Sequence, residues 1–267
     1  MNPLSPVRNV DVSNRYESRY VDTPWFLRFV PALSVDAPRV ICLPHAGSGA
    51  SAFKNLTSKF FSNYEMLIIQ YPGRETRRND PFIRNLHQTV AHILDAIQPH
   101  LEQSYVLFGH SMGAKIGYEL LELMKALQLP LPDHFVASCS PAPHRPFTLD
   151  PAYKGSDEEF LNYLLRLGGI PKELLEIDEL VALILPILRA DFELLDGYHP
   201  LDNIGPIGCP VTTIFSPDDA SVTAVDTAMW EELSPVSFQH RGISGGHFYF
   251  SQCRETLFDI LATRVGN

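Results

Sequence analysis

A mainly parallel α/β sheet flanked by helices, with one helical insertion, is the fold class predicted for this 267-residue chain. Three observations point there. Short apolar runs recur with helical stretches between them, and several of the runs lead into glycine-bearing loops. The alternation breaks once, over about residues 145–205, where helical signals replace strands. Alternating strand and helix signals predict parallel strands covered on both faces. In such sheets the chemistry belongs in loops at the carboxyl ends of the strands.

Arg39 to Pro44 (RVICLP) is the first run and enters a glycine-containing loop, and Glu65 to Tyr71 (EMLIIQY) enters Pro72-Gly73-Arg74. Tyr105 to Gly109 begins wholly apolar, as a buried parallel strand should. Ile116, Leu120, Leu123, Met124 and Leu127 then recur at helical spacing, so a helix starts near Met112. His134 to Cys139 (HFVASC) follows that helix, Pro210 to Phe215 (PVTTIF) comes after the gap, and Val236 to His240 is the last strand, ahead of a C-terminal helix.

Within the gap, Ser156-Asp157-Glu158-Glu159 is a capping box, followed by Phe160, Leu161, Leu164 and Leu165 on one helical face. Gly168-Gly169-Ile170-Pro171 stops that helix. A second apolar stretch carries Leu180, Leu183, Ile184, Ile187 and Leu188, with Pro186 expected to kink or break it. A helical insertion between two sheet strands reads as a lid over the strand ends. Phe160, Leu161, Leu164, Leu165, Leu183, Ile184 and Ile187 are then the candidates to line an apolar channel beneath it. The expected organisation is a polar arm over residues 1–23, then one domain over residues 24–267 that carries the insertion.

A formal net charge of −10 excludes nucleic acid as a general partner. Nowhere do eighteen apolar residues run together, and the first eighteen residues lack the apolar core of a signal peptide. Cys42, Cys139, Cys209 and Cys253 lie far apart, without a C-x-x-C pair, and suit a reducing compartment. The expectation is a cytoplasmic monomer.

The junction after Phe108 carries the chemistry. Gly109-His110-Ser111-Met112-Gly113 is a G-x-S-x-G nucleophile elbow, set between a strand and a helix as that motif requires. A serine hydroxyl is weakly nucleophilic at neutral pH and needs a base. His247, in Ser244-Gly245-Gly246-His247 after the last strand, is the candidate, because two glycines let the loop turn tightly over the sheet edge. His110 supports the turn. The acid should follow a strand between the two, and Asp218 and Asp219 directly follow PVTTIF. Asp219, opening the D-x-x-V pattern Asp219-Ala220-Ser221-Val222, is preferred. The order Ser, Asp, His is the hydrolase order. Oxyanion donors are assigned to the backbone N–H of Met112, next after the nucleophile, and of Ala46, in the loop Leu43-Pro44-His45-Ala46-Gly47-Ser48-Gly49.

With those residues in place the chain resembles the type II thioesterases, the editing enzymes of nonribosomal peptide and polyketide synthases within the α/β-hydrolase superfamily. The resemblance spans roughly residues 24–262 and rests on LPHAGSGASAF (43–53), YPGRETRR (71–78), GHSMGAKIGYEL (109–120), LPILRADFELLDGY (185–198), Asp219 and GGHFYF (245–250). It implies a helical lid over a hydrophobic acyl channel and no cofactor. It also implies hydrolysis of acyl groups from the phosphopantetheine arm of acyl or peptidyl carrier domains. Ser48 departs from the pattern, which has a second glycine there. Arg74, Arg77 and Arg78 form the one compact basic run, a candidate dock for an acidic carrier domain or a plain solvated loop. Two other readings stay open. One is a small-molecule esterase or acyltransferase on the same scaffold, the other a non-catalytic hydrolase-like binding protein.

Overall fold

The apolar runs pair as one sheet. The computed structural model describes residues 18–20, 23–29, 37–56, 64–145, 149–170, 172–199 and 205–264. Its strands are β1 (Ser18–Tyr20), β2 (Phe26–Phe29), β3 (Arg39–Leu43), β4 (Glu65–Ile69), β5 (Tyr105–His110), β6 (His134–Ser138), β7 (Val211–Phe215) and β8 (Phe238–Gly242). They lie in the order β1-β2-β4-β3-β5-β6-β7-β8. From β4 to β8 every neighbouring pair is parallel, whereas β1 on β2 and β2 on β4 are antiparallel. The predicted mainly parallel α/β-hydrolase sheet is therefore what the chain builds.

Strand order places the site. The chain steps outward from β3 to β4, then returns to lay β5 on the other side of β3. Loops leaving the carboxyl ends of β3 and β5 thus diverge around a crevice, the usual ligand position in an open α/β sheet. Leu43 pairs with Gly109 at that edge, so the Ala46 loop and Ser111 emerge side by side.

Side chains alternate between two buried layers, as the period of a strand requires. Ile41, Leu43, Leu67, Ile69, Leu107 and Phe135 face α1 (Leu86–Ile97) and α2 (Met112–Ala126). Val40, Cys42, Ile68, Val106, Phe108 and Val136 face the opposite layer, with Leu257 and Leu261 of the C-terminal helix (Arg254–Ala262). Each such fully buried side chain stabilises by about 1.5–3 kcal/mol. Asn85 starts α1 by accepting from Gln88 N at 2.9 Å, which satisfies one of the helix's orphan donors.

The insertion holds α3 (Asp157–Arg166) and α4 (Asp178–Asp196) between β6 and β7. The predicted capping box starts α3: Ser156 Oγ accepts from Glu159 N at 3.2 Å while Ser156 N donates to Glu159 Oε2 at 2.7 Å. Pro186 does not end the second helix. It lies inside α4 on an exposed turn, and the carbonyl it orphans belongs to exposed Ala182, where water can donate to it.

Two edge elements escaped the sequence reading. The arm expected over 1–23 lies outside the described residues up to 17, but Ser18–Tyr20 pairs with β2 as an edge strand. Runs this short, interrupted by Arg19 and Arg28, lack the continuous apolar signature of the central strands. Arg28 Nη1 pairs with Glu65 Oε1 at 3.1 Å.

Candidate active site

Ser111 leaves β5 at φ 55° and ψ −113°, backbone angles costly for a residue with a side chain. The turn is held by its backbone: Ser111 N donates to Ser138 O at 2.8 Å and Ala114 N donates to Ser111 O at 3.0 Å. Both flanking glycines are steric requirements. A Cβ on Gly109 would lie 2.4 Å from Gly113 O, and one on Gly113 would lie 2.0 Å from Leu43 O. Gly113→Ala is accordingly expected to destabilise the fold by about 3 kcal/mol. The check is its midpoint in urea, and an unchanged midpoint would mean that β3 and α2 separate without cost.

His110 is fully buried, with Nδ1 2.9 Å from Ser138 Oγ, itself 2.8 Å from Tyr249 OH. Burial, then the charges of His247 and His45, hold the His110 imidazole well below its ordinary pKa. It is a neutral brace for the elbow and for the loop that carries His247.

Asp219 and His247 arrive from the ends of β7 and β8. His247 Nδ1 lies 2.7 Å from Asp219 Oδ2. A carboxylate in this position draws the ring proton to Nδ1 and leaves a free lone pair on Nε2. Asp219 Oδ1 accepts from Ser221 N at 2.8 Å, Ser221 Oγ at 2.7 Å and Val222 N at 3.2 Å. Burial pushes this carboxyl's pKa up, but the bonds and charge from His247 and the bonds from Ser221 outweigh it, so the net shift is downward. Asp218 serves a different group. Its Oδ2 accepts from Gly245 N at 3.1 Å, and Ser216 Oγ accepts from Gly246 N at 2.9 Å. The two glycines turn at φ 126° and 73°, as a tight loop ahead of the histidine needs.

Ser111 and His247 line one cavity of about 550 Å³, together with Ala46 and Met112. Among the described residues their side chains share no hydrogen bond, a common looseness in a site without substrate. Met112 N–H is the first of α2, a donor without an intrahelical acceptor and at the positive end of the helix dipole. The Ala46 loop turns through Gly47 at φ 81°. Ser48 tightens the same turn, its Oγ donating to His45 O at 2.8 Å.

The apolar walls differ from the predicted set. Of the seven channel candidates Leu164 alone lines the cavity, where it is joined by Leu149, Leu167, Leu188, Phe192 and Leu195. Phe160 is buried against Tyr153 and Phe192, and Leu161, Leu165 and Ile184 pack on the core from partly buried positions. Ile187 is buried away from the cavity, and Leu183 is 59% exposed. The helical period was read correctly but from the wetted half of α4. The stripe that reaches the site is Leu188, Phe192 and Leu195, at i, i+4 and i+7, legible in the sequence once α4 is known to continue past Pro186.

The basic run is not a surface patch. Arg74 is buried in a forked ion pair with Asp191, Nη1 to Oδ2 at 2.6 Å and Nη2 to Oδ1 at 2.8 Å. Arg77 pairs with Asp80 at 2.8 Å and stacks 4.3 Å over Trp25. Arg78 remains exposed. Sequence reasoning also missed Lys115, one helical turn after Ser111, which lines the cavity and whose ammonium burial pushes down to about 8.

Cys139, Asp219 and His247 have donor atoms within 4.8 Å of one another, close enough to ask whether they hold a metal. Burial pushes the Cys139 thiol up to about 12, so at neutral pH it stays a protonated, poor ligand. Asp219 and His247 are already engaged with each other. The donor set fits proton transfer better than metal binding. No helix among the described residues is long and apolar enough to cross a membrane.

The chain is also similar to known proteins. Residues 38–265 match the model of the thioesterase domain. The chain is 31% identical to thioesterase PikA5 of Streptomyces venezuelae over 90% of its own length and 86% of the relative's. It is 32% identical to the gramicidin S biosynthesis protein GrsT of Aneurinibacillus migulanus, over 85% and 88% of the two chains. Among solved structures, the type II thioesterase BorB from the borrelidin biosynthetic cluster superposes with a TM-score of 0.83. That match has 29% identity and covers 92% of this chain and 99% of the other.

Proposed function

The chain belongs to the thioesterase domain family and hydrolyses thioesters, and from that premise we propose that it clears acyl groups from the phosphopantetheine arm of carrier domains in nonribosomal peptide or polyketide synthesis, using Ser111, His247 and Asp219. The observation that carries the site assignment is the 2.7 Å contact between His247 Nδ1 and Asp219 Oδ2 beside a cavity that Ser111 also lines.

The reaction follows from these groups. Ser111 Oγ attacks the thioester carbonyl as His247 Nε2 takes the hydroxyl proton, and Asp219 stabilises the imidazolium. Negative charge moves to the carbonyl oxygen, facing the N–H groups of Ala46 and Met112, where one such donor is worth about 2.7–4 kcal/mol. The tetrahedral intermediate collapses, and the leaving sulfur takes the proton from His247 to depart as the pantetheine thiol. Water then attacks the acyl-serine, giving its proton to Nε2, and the free acid leaves with Ser111 restored. The cycle consumes one water and needs no other co-reactant.

Relatives named for gramicidin S and borrelidin biosynthesis support a carrier-borne substrate. Four free cysteines, three of them buried, suit a cytoplasmic setting. The deciding experiment compares hydrolysis of an acyl-carrier thioester, the matched acyl-pantetheine and the matched oxygen ester. A carrier thioester turned over no faster than the oxygen ester would favour a small-molecule esterase instead.

The cavity wall makes its own prediction. Leu164 lies on α3 at the channel, and each substrate methylene buried there gains about 0.8 kcal/mol. Leu164→Gln is expected to shift the acyl-length optimum towards shorter chains while fluorophosphonate labelling of Ser111 stays near the wild-type rate. Leu183→Gln, on the exposed turn of α4, is expected to leave the profile unchanged. Rates measured against acyl length check both.

A further inference from the structure

Three segments distant in sequence meet behind the Ala46 loop. Asp191 comes from α4 and is 3% exposed. Its neighbours on the helix, Leu188, Phe192 and Leu195, line the acyl cavity. Arg74 comes from the turn after β4 and is 4% exposed. The third segment is the loop after β3. Asp191 Oδ2 accepts from Gly47 N at 2.7 Å as well as from Arg74 Nη1, and that same Nη1 donates to Ser48 O at 3.1 Å.

The peptide between Ala46 and Gly47 is therefore gripped at both ends. Its N–H is held by Asp191, and its carbonyl, Ala46 O, lies 2.9 Å from His45 Nδ1. With both ends of that peptide released, the loop could shift at Ala46 and carry the Ala46 N–H out of line with the oxyanion. Leu188 closes the other side, because its Cδ2 stands 2.5 Å from where a Gly47 Cβ would be. The element that covers the acyl chain is thus the element that holds the loop. A buried ion pair is weak grounds for a stabilising role, since apolar replacements often serve as well. What apolar groups cannot supply is an acceptor for Gly47 N–H.

We propose that Asp191 is a positioning residue for the oxyanion hole: through Gly47 it fixes the Ala46 N–H, Arg74 orients its carboxylate, and α4 must be seated for the hole to be formed. This rests on the thioesterase mechanism above and on Ala46 as a donor.

The test uses Asp191→Asn and the paired replacement Arg74→Met with Asp191→Leu, in the full chain with an acyl-pantetheine thioester. The pair removes the lone charge that a single apolar substitution would strand, so stability can return without the Gly47 acceptor. Asp191→Asn keeps the shape and an amide oxygen that still accepts from Gly47 N, so it is the conservative control. In the paired variant kcat should fall about 100-fold with KM nearly unchanged, the loss typical of one oxyanion donor, while Asp191→Asn should stay within about tenfold of wild type. A trifluoromethyl ketone analogue, which forms a tetrahedral adduct with the serine, should weaken by a similar factor. A folded paired variant with kcat within about threefold of wild type, or an Asp191→Asn that loses as much kcat as the paired variant, would overturn the proposal. Wild-type turnover that does not depend on Ser111 would instead sink the underlying mechanism, and the two failures are distinguishable.

Discussion

Ser111→Ala should leave a folded protein with almost no thioesterase activity, a loss on the order of 10⁴-fold or more. The expectation of folding is specific to this turn. The Ser111 side chain makes no capping hydrogen bond to α2, and the elbow is held by Ser111 N to Ser138 O and Ala114 N to Ser111 O, which alanine keeps. The positive φ is costly for serine and alanine alike, so the substitution adds little strain of its own. What disappears is the oxygen that forms the acyl-enzyme. Single-turnover assays with an acyl-pantetheine, beside thermal melts of both proteins, check the two halves. Turnover within a hundredfold of wild type in a well-folded variant would remove Ser111 as nucleophile.

Asp219→Asn should cost about 10⁴-fold in kcat, the size of effect known when a triad acid can no longer select the histidine tautomer. Its side chain is fully buried, and Oδ2 faces His247 Nδ1 at 2.7 Å. An amide there can present its NH2 to the ring and reverse which nitrogen carries the proton. Asp218→Asn should cost less than about tenfold, because an amide oxygen still accepts from Gly245 N, the bond at 3.1 Å in the native chain, and Asp218 does not touch the ring. The ratio of the two kcat values is the measurement. If Asp218→Asn is the severe change, the acid has been assigned to the wrong neighbour.

The two aspartates illustrate how far sequence reasoning reaches. Both follow the same strand, both are carboxylates, and spacing places either one at the sheet edge. Their separate duties come from which way the turn after β7 points each side chain, and the hydrogen bonds of Gly245 and His247 reveal it. The lid shows the same limit. Its two helices were legible from the capping box and the 3.6-residue period, yet the period does not say which half of a nineteen-residue helix is covered. Burial of α4 begins near Leu185, so Leu183 before it faces solvent and is no channel wall.

The sequence by itself determined the parallel sheet and the elbow, and it singled out Ser111 and His247 as the candidates for nucleophile and base. Each depends on neighbours in the chain: an apolar run to make a strand, two glycines to clear a turn, two more to swing a histidine. The tertiary structure alone decided the union of Arg74, Asp191 and Gly47, whose members lie up to 144 residues apart. It also decided that Arg74 is buried rather than offered to a partner, and that Ser18–Tyr20 joins the sheet edge. An arginine in a polar run looks solvated until a carboxylate from another element meets it. Pairing of that kind is set by the packing of α4 over the strand ends, and no local pattern encodes it.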